Sequence, residues 1–246
     1  MEGEARVLSL RFVPHTMESA LARAHALIEA GGCARVYTPN AEIALRASRS
    51  VAFSDMLARA ELLLPDGVGV TLAARFGGTR LTRITGIDFA EALLASAPRP
   101  YRLYLLGGAQ GVAARAGRAL CERFGRALLV GARHGFFEKE KECEIANEIA
   151  AARPDLLFVC LGSPKQEEWI ERLRPPCLAL GLGGALDVWA GDKARAPALM
   201  RRAGLEWVFR LASEPRRLLR AGALPAFALR VLHERLHSGA KCRGRG

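Results

Sequence analysis

The chain lacks most of the signals that place a sequence at once. None of its six cysteines (Cys33, Cys121, Cys143, Cys160, Cys177 and Cys242) belongs to a C-x-x-C pair, and no histidine stands at metal-ligand spacing from one. That excludes a disulfide scaffold and a zinc ribbon. Cys160 and Cys177 lie in apolar runs and read as buried free thiols of a reducing compartment. No stretch approaches the roughly 18 consecutive apolar residues of a spanning helix. The opening MEGEARVLSL, with two glutamates and a short apolar stretch, is not a signal peptide. A cytoplasmic protein is expected, with at most peripheral membrane contact. There is no Walker A sequence, no D-x-D to bridge a metal to a nucleotide sugar, and no G-x-G-x-x-G. Lysine is scarce as well: 5 of the 36 basic residues, the rest being arginine.

The remaining composition is ordinary. The 246 residues are 50% apolar and 25% charged, which fits a globular protein and excludes collagen, coiled coil and disorder. At this length a single core needs neither disulfide nor metal to hold it. The 12 prolines and 25 glycines are dispersed, so one main domain is expected. Charge is not dispersed. The net charge is +11, yet residues 195–246 alone carry 12 basic against 3 acidic residues. This divides the chain into a core, 1–194, and a basic appendage, 195–246. Such a block fits a polyanionic partner, whether a membrane surface, a nucleic acid or a phosphorylated substrate. A merely solvated basic tail fits the charge equally well.

Short apolar runs alternate with longer segments of helical period. Arg35–Tyr37, Leu62–Leu64, Tyr101–Leu106, Ala127–Val130, Leu156–Leu161 and Cys177–Leu180 read as strands. Between them lie helices near Thr16–Ala30, Ala41–Ser48, Val68–Phe76, Ile87–Ala97, Gln110–Phe124, Glu138–Ala152 and Lys165–Leu173. The alternation predicts an α/β fold, Rossmann-like, with a mostly parallel sheet covered by helices on both faces. After Gly191 the strand signal stops. Basic helices follow near Pro197–Ala203, Leu205–Ala212 and Pro215–His237, the last interrupted by Pro225.

Ligands of open parallel sheets bind beyond the strands' carboxyl ends, so the chemistry belongs in the residues that follow each strand. Thr38-Pro39-Asn40 follows one; Asn40 reads first as a helix N-cap, though a hydroxyl and an amide there also suit a polar ligand. Pro65-Asp66-Gly67 is a strong turn signal. Its Asp66 is either a helix cap or a general base at the mouth of the sheet. Arg80 and Arg83 stand in a loop ending at Gly86, where a guanidinium fork is either solvated or bound to phosphate oxygens. Gly107-Gly108-Ala109-Gln110-Gly111 joins a strand to a helix, a junction whose amides bind phosphate. It is G-G-x-x-G, and no acidic residue ends the next strand. That argues against a dinucleotide and leaves a nucleoside diphosphate. Gly162-Ser163-Pro164 lacks the G-x-S-x-G frame of a serine nucleophile. Gln166, in the next helical turn, points toward the same rim. The last strand runs into Gly181-Leu182-Gly183-Gly184-Ala185-Leu186-Asp187.

Taken in order, T-P-N, P-D-G-V-G, R-I-T-G-I-D, L-G-G-A-Q-G, H-G-F-F, L-G-S-P-K-Q-E, G-L-G-G-A-L-D, R-A-P and E-W-V-F-R-L-A-S-E-P-R-R resemble the WecG/TagA/CpsF glycosyltransferases from about Arg35 to Arg220. Each motif alone is weak, but the ordered set is specific. The resemblance implies an inverting transferase that needs no metal or other cofactor. It moves a sugar from a UDP-sugar donor to a lipid-diphosphate-linked sugar acceptor at the inner face of the plasma membrane. In one branch the sugar is N-acetylmannosamine and the polymer a teichoic acid. Other branches move glucose or N-acetylmannosaminuronic acid.

By that resemblance Asp66 is the catalytic carboxylate. Thr38, Asn40, Arg83 and Gln166 fall on active-site positions, and Gly107, Gly108 and Asp187 are further substrate-binding candidates. Pro65 stands where alanine is common, and Asp192 where lysine is frequent. Arg210, Arg216, Arg217 and Arg220, interleaved with Leu211, Leu218, Leu219, Leu224 and Phe227, form an amphipathic basic segment suited to anionic lipid. One of these arginines is expected at the lipid diphosphate. An anionic membrane surface is thus an expected partner, nucleic acid is not, and a homo-oligomer is left open. A nicotinamide oxidoreductase and a nucleic-acid-binding module are the competing classes. The first lacks its glycine motif and acidic ribose ligand, and the second lacks a recognised reader motif.

Overall fold

A computed structural model describes residues 3–213 and 222–243. Strands β3 (Ala34–Tyr37), β4 (Leu62–Leu63), β5 (Tyr101–Gly107), β6 (Ala127–Arg133), β7 (Leu156–Cys160) and β8 (Leu178–Gly181) form one sheet in the order β4-β3-β8-β7-β5-β6. Every neighbouring pair is parallel. The two central strands, β8 and β7, come last in the chain and fill the gap between the two halves laid down first. The expected α/β sheet is therefore present.

Period-two alternation sends successive side chains of each strand to opposite faces. On β5, Tyr101, Leu103 and Leu105 enter one apolar cluster, while Tyr104 and Leu106 enter the other. On β7, Leu156, Phe158 and Cys160 alternate in the same way with Leu157 and Val159. All five residues of β7 are buried, as a strand covered on both faces requires. The first face is closed by α1 (Met17–Ala30), α5 (Gly86–Ala95), α6 (Val112–Phe124) and the short α9 (Ala185–Trp189). The second is closed by α2 (Ala41–Ala47), α3 (Val51–Ala58), α4 (Val68–Phe76), α7 (Glu142–Ala152) and α8 (Lys165–Leu173). Among the described residues, three more helices follow the sheet: α10 (Ala198–Arg202), α11 (Glu206–Ser213) and α12 (Ala223–Arg243).

Local chemistry sets the helix ends. Thr16 and Ser19 form a reciprocal capping box at the start of α1, with bonds of 3.2 and 3.0 Å. Such a cap is worth about 1 kcal/mol. Gly125 ends α6 with φ of 62°.

Three features depart from the expectation. β1 (Ala5–Val7) and β2 (Leu10–Phe12) form an antiparallel hairpin whose turn holds Leu8 at φ 53°. Without the usual Asn or Gly, the turn carries no hairpin signal; burial of Leu8 fixes it instead. α3 begins directly after α2, at an N-cap on Ser50 that accepts from the Phe53 amide at 3.3 Å. With so few residues between them, the two helices give no separate periodic signal. Pro225 does not interrupt the last helix but lies in its first turn, where its missing N–H has no helical partner to lose.

Gly107 has no room for a side chain. Its φ is 140°, and a Cβ there would sit 2.3 Å from the Cys160 carbonyl oxygen of β7. Gly107→Ala is expected to cost roughly 2–3 kcal/mol through strain and forced strand separation. Thermal unfolding should then fall by about 5–10 °C, measured by circular dichroism.

Candidate active site

Because all six strands run the same way, their carboxyl ends share one rim, and two cavities open along it. The first, about 360 Å³, lies over the ends of β4, β3 and β8. The second, about 460 Å³, lies over β7, β5 and β6.

Backbone hydrogen bonds stitch the loops of the first cavity together. Leu64 N–H donates to the Tyr37 carbonyl (2.9 Å), Asp66 N–H to Pro39 (3.1 Å) and Ile84 N–H to Pro65 (3.0 Å). Three loops distant in sequence thus form one rigid wall. Thr38, Asn40, Asp66 and Arg83 all line this cavity. Asn40 does cap α2, its Oδ1 accepting from the Glu42 and Ile43 amides at 3.0 and 3.1 Å. Its amide nitrogen is the group it offers a ligand. Thr38 lies against the start of α5; a Cβ on Gly86 would come within 2.9 Å of Thr38 Oγ1. Asp66 is half-buried among apolar Val68, Ile87 and Leu182 of the same lining.

The opposite wall comes from the C-terminal helices: Gly204, Glu206 and Trp207 around α11, and Ala223, Leu224 and Pro225 at the start of α12. Phe227 is buried at 4% exposure, and its ring reaches 3.6 Å from where a Gly69 Cβ would stand. This corrects the expectation for two residues of the amphipathic stripe. Phe227 packs into the core and Leu224 lines the cavity, because α12 lies against α2 and α4. Arg83 joins the two walls, its Nη2 donating to the Arg201 carbonyl of α10.

A set of ion pairs reinforces that joint. Asp88 accepts from Thr85 Oγ1 at 2.7 Å and pairs with Arg195 and, at 3.6 Å, with Arg201. Arg195 also reaches Glu91 at 3.7 Å, and Glu91 accepts from Trp189 Nε1 at 2.9 Å. Burial alone would raise the Asp88 carboxyl. The Thr85 hydroxyl and the two guanidinium groups outweigh it and hold Asp88 below its ordinary range. The R-I-T-G-I-D and R-A-P motifs are thus two halves of one clamp. Sequence reading missed it because ion-pair partners 107 residues apart leave no periodic trace.

In the second cavity, Gly135 N–H donates to the Gly108 carbonyl at 2.9 Å, laying H-G-F-F across the glycine turn. Gly108, Phe136 and Lys165 line it, and Phe136 is 77% exposed. Gly107 is buried beneath.

Gln166 lines neither cavity. It is buried, its Oε1 accepting from Gly183 N–H at 2.8 Å and its Nε2 donating to Glu167 Oε1 at 2.9 Å. Asp187 pairs with Lys193 at 2.9 Å and lines neither cavity. Asp192 pairs with Arg115. Arg216, Arg217 and Arg220, with Leu218 and Leu219, lie outside the described residues; Arg210 falls within α11.

The parallel sheet carries two cavities on its carboxyl rim, with a half-buried carboxylate in one of them. The chain belongs to the glycosyl transferase WecG/TagA/CpsF family, whose model matches residues 5–241. It is therefore a glycosyltransferase. It is 36% identical over 206 residues to the N-acetylglucosaminyldiphosphoundecaprenol N-acetyl-beta-D-mannosaminyltransferase of Bacillus spizizenii, covering 81% of this chain and 79% of that protein. The protein of the same name from Bacillus subtilis is 35% identical over 204 residues, with the same coverage. That of Staphylococcus aureus strain MW2 is 32% identical over 201 residues, covering 80% and 78%.

The clamp carries a pH signature. A carboxyl held below its unfolded value contributes stability above that value and loses it as pH falls through the folded one. Asp88→Asn should lower stability by roughly 1 kcal/mol after discounting for partial exposure, about 2–4 °C in unfolding temperature. The gap to the unaltered protein should stay constant from pH 8 to 5. It should close below the ordinary aspartate value of 3.8, as scanning calorimetry across pH would record.

Proposed function

We propose that this enzyme transfers N-acetylmannosamine from a UDP-sugar to N-acetylglucosaminyl-diphosphoundecaprenol, an early step toward a teichoic acid or a related surface polymer. The observation that carries the reading is the first cavity: Asp66 shares it with Thr38, Asn40 and Arg83, and the C-terminal helices close it. The relatives' shared name supplies the sugar and the acceptor.

In this scheme Asp66 accepts the proton of the acceptor hydroxyl as its oxygen attacks the anomeric carbon. The bond from that carbon to the UDP oxygen breaks, and the stereochemistry inverts. Thr38 and Asn40 hold the sugar, and Arg83 offsets charge developing on the leaving diphosphate. The donor lies along the rim. From β3 to β5 is three strand spacings, about 14 Å, which suits a nucleoside diphosphate with its sugar at Thr38 and Asn40 and its base in the second cavity. Exposed Phe136 gives that base a stacking surface, and Lys165 with the Gly108 turn serves the phosphates.

The acceptor's lipid requires work at a membrane surface. No described helix is long and apolar enough to cross one. Leu229, Leu232 and Leu236 of α12 are exposed at helical spacing, and Leu199 of α10 is exposed too. With the positive charge concentrated after residue 194, these side chains support docking of residues 195–246 as an appendage on an anionic bilayer. Arg210, Arg216, Arg217 and Arg220 are proposed to serve the lipid diphosphate and headgroups.

Two measurements test this. With a detergent-dispersed N-acetylglucosamine-diphosphate-lipid and a panel of UDP-sugars, one donor should turn over. Asp66→Asn should cut kcat by about 10²–10⁴-fold with donor affinity kept; undiminished turnover would remove Asp66 as base. In the second, replacing Leu229, Leu232 and Leu236 together by serine should abolish co-sedimentation with anionic vesicles while donor binding persists.

A further inference from the structure

Among the described residues, Glu167 is the most deeply buried acid, 1% exposed, and the chemistry proposed above does not use it. It stands in the first turn of α8, one residue after Gln166. Three connected groups run from it to the rim. Glu167 Oε1 accepts from Gln166 Nε2 at 2.9 Å, and Gln166 Oε1 accepts from Gly183 N–H at 2.8 Å. The orientation of the Gln166 amide follows from what its neighbours can do. A backbone N–H only donates, so Oε1 must face Gly183; Nε2 then needs an acceptor, and Glu167 is that acceptor.

On its far side Glu167 Oε2 has no hydrogen-bond partner, and neither has Ser163 Oγ, though both are buried. The two lie near enough for Ser163 to influence the carboxyl, without a bond of proper geometry. Burial drives the Glu167 carboxyl above its ordinary range, more than Gln166 and Ser163 pull it down.

Gly183 belongs to the turn between β8 and α9. The same turn carries Leu182 into the first cavity and follows β8, the strand of that cavity next to β7 and the second cavity, so a donor spanning both would pass its diphosphate there. We propose that Glu167 is a positioning residue: by fixing the Gln166 amide, it holds the 181–184 turn at the height the donor requires. This rests on the reading of the rim as a donor site for the effect on turnover, but not for the structural relay itself.

The test pairs an apolar replacement with a neutral isostere in the full chain. Glu167→Met removes the acceptor, whereas Glu167→Gln can accept from Gln166 and donate to Ser163. E167M should speed amide hydrogen exchange at Gly183 by tenfold or more, with the β7–β8 ladder still protected, and should lower kcat/KM by at least tenfold. E167Q should keep Gly183 protected and stay within about threefold in kcat/KM. The double variant Gln166→Met/Glu167→Met should lose no more activity than Gln166→Met alone, because residues acting through one another are not additive.

Equal impairment of E167Q and E167M would overturn the proposal, since the ionisable group itself would then matter. Unchanged Gly183 exchange in E167M would overturn it too. Where Met at 167 prevents folding, E167Q alone decides, and loss of Gly183 protection in that isostere refutes the relay. Gly183 exchange that responds as expected in a protein without transferase activity would support the relay and fault the assigned reaction.

Discussion

A parallel sheet is closed by crossovers, and each crossover leaves a strand at the same edge. Here six carboxyl ends, from β4 to β6, deliver their loops to one rim about 24 Å long by strand spacing. No single loop makes a site. Thr38 and Asn40 follow β3, Asp66 follows β4, and Leu182 follows β8, yet they line one cavity because β3 pairs with both β4 and β8. The late insertion of β8 and β7 into the middle of the sheet puts the first cavity beside the second. That adjacency makes a ligand as long as a nucleotide sugar a sensible occupant.

The rim is half of the first cavity, and the clamp governs the other half. Asp88, at the start of α5, is drawn one way by Thr85 and the other by Arg195 and Arg201. Arg83, two residues before Thr85, donates to the carbonyl of Arg201. The loop that carries a cavity arginine is therefore fastened to the helices that supply the opposite wall. A weakened clamp would loosen both together.

The sheet was legible in the sequence because buried parallel strands write themselves as apolar runs ending in Gly, Pro or Asp, as Leu156–Cys160 does before Leu161-Gly162. The helices α1 and α6 were legible from their period. The hairpin was not, because the turn at Leu8-Ser9 contains neither Asn nor Gly and tertiary burial imposes the bend. Asp66, Thr38, Asn40 and Arg83 could be placed at strand ends, and all four line one cavity. Gln166 was placed near the rim, but its burial was invisible. A polar side chain spent on Gly183 and Glu167 looks the same in sequence as one aimed at a ligand. Phe227 was misassigned for the same reason: a basic, leucine-rich segment reads as amphipathic whichever face is covered.

The two walls of the first cavity differ in what they can read. The sheet-side wall is stitched by backbone bonds between its own loops. It suits recognition of a donor sugar, whose hydroxyls must be held to within fractions of an ångström. The helical wall carries apolar Trp207, Leu224 and Pro225 inward, while Leu229, Leu232 and Leu236 of α12 stay exposed. An acceptor that is a sugar at one end and a lipid at the other needs that sequence of surfaces, polar at Asp66 and apolar beyond. In the proposed reaction the donor would therefore be selected by the rim, and the acceptor by the helices that bring it there. Replacing α11 or α12 would change which lipid-linked sugar is used before it changed which nucleotide sugar is used.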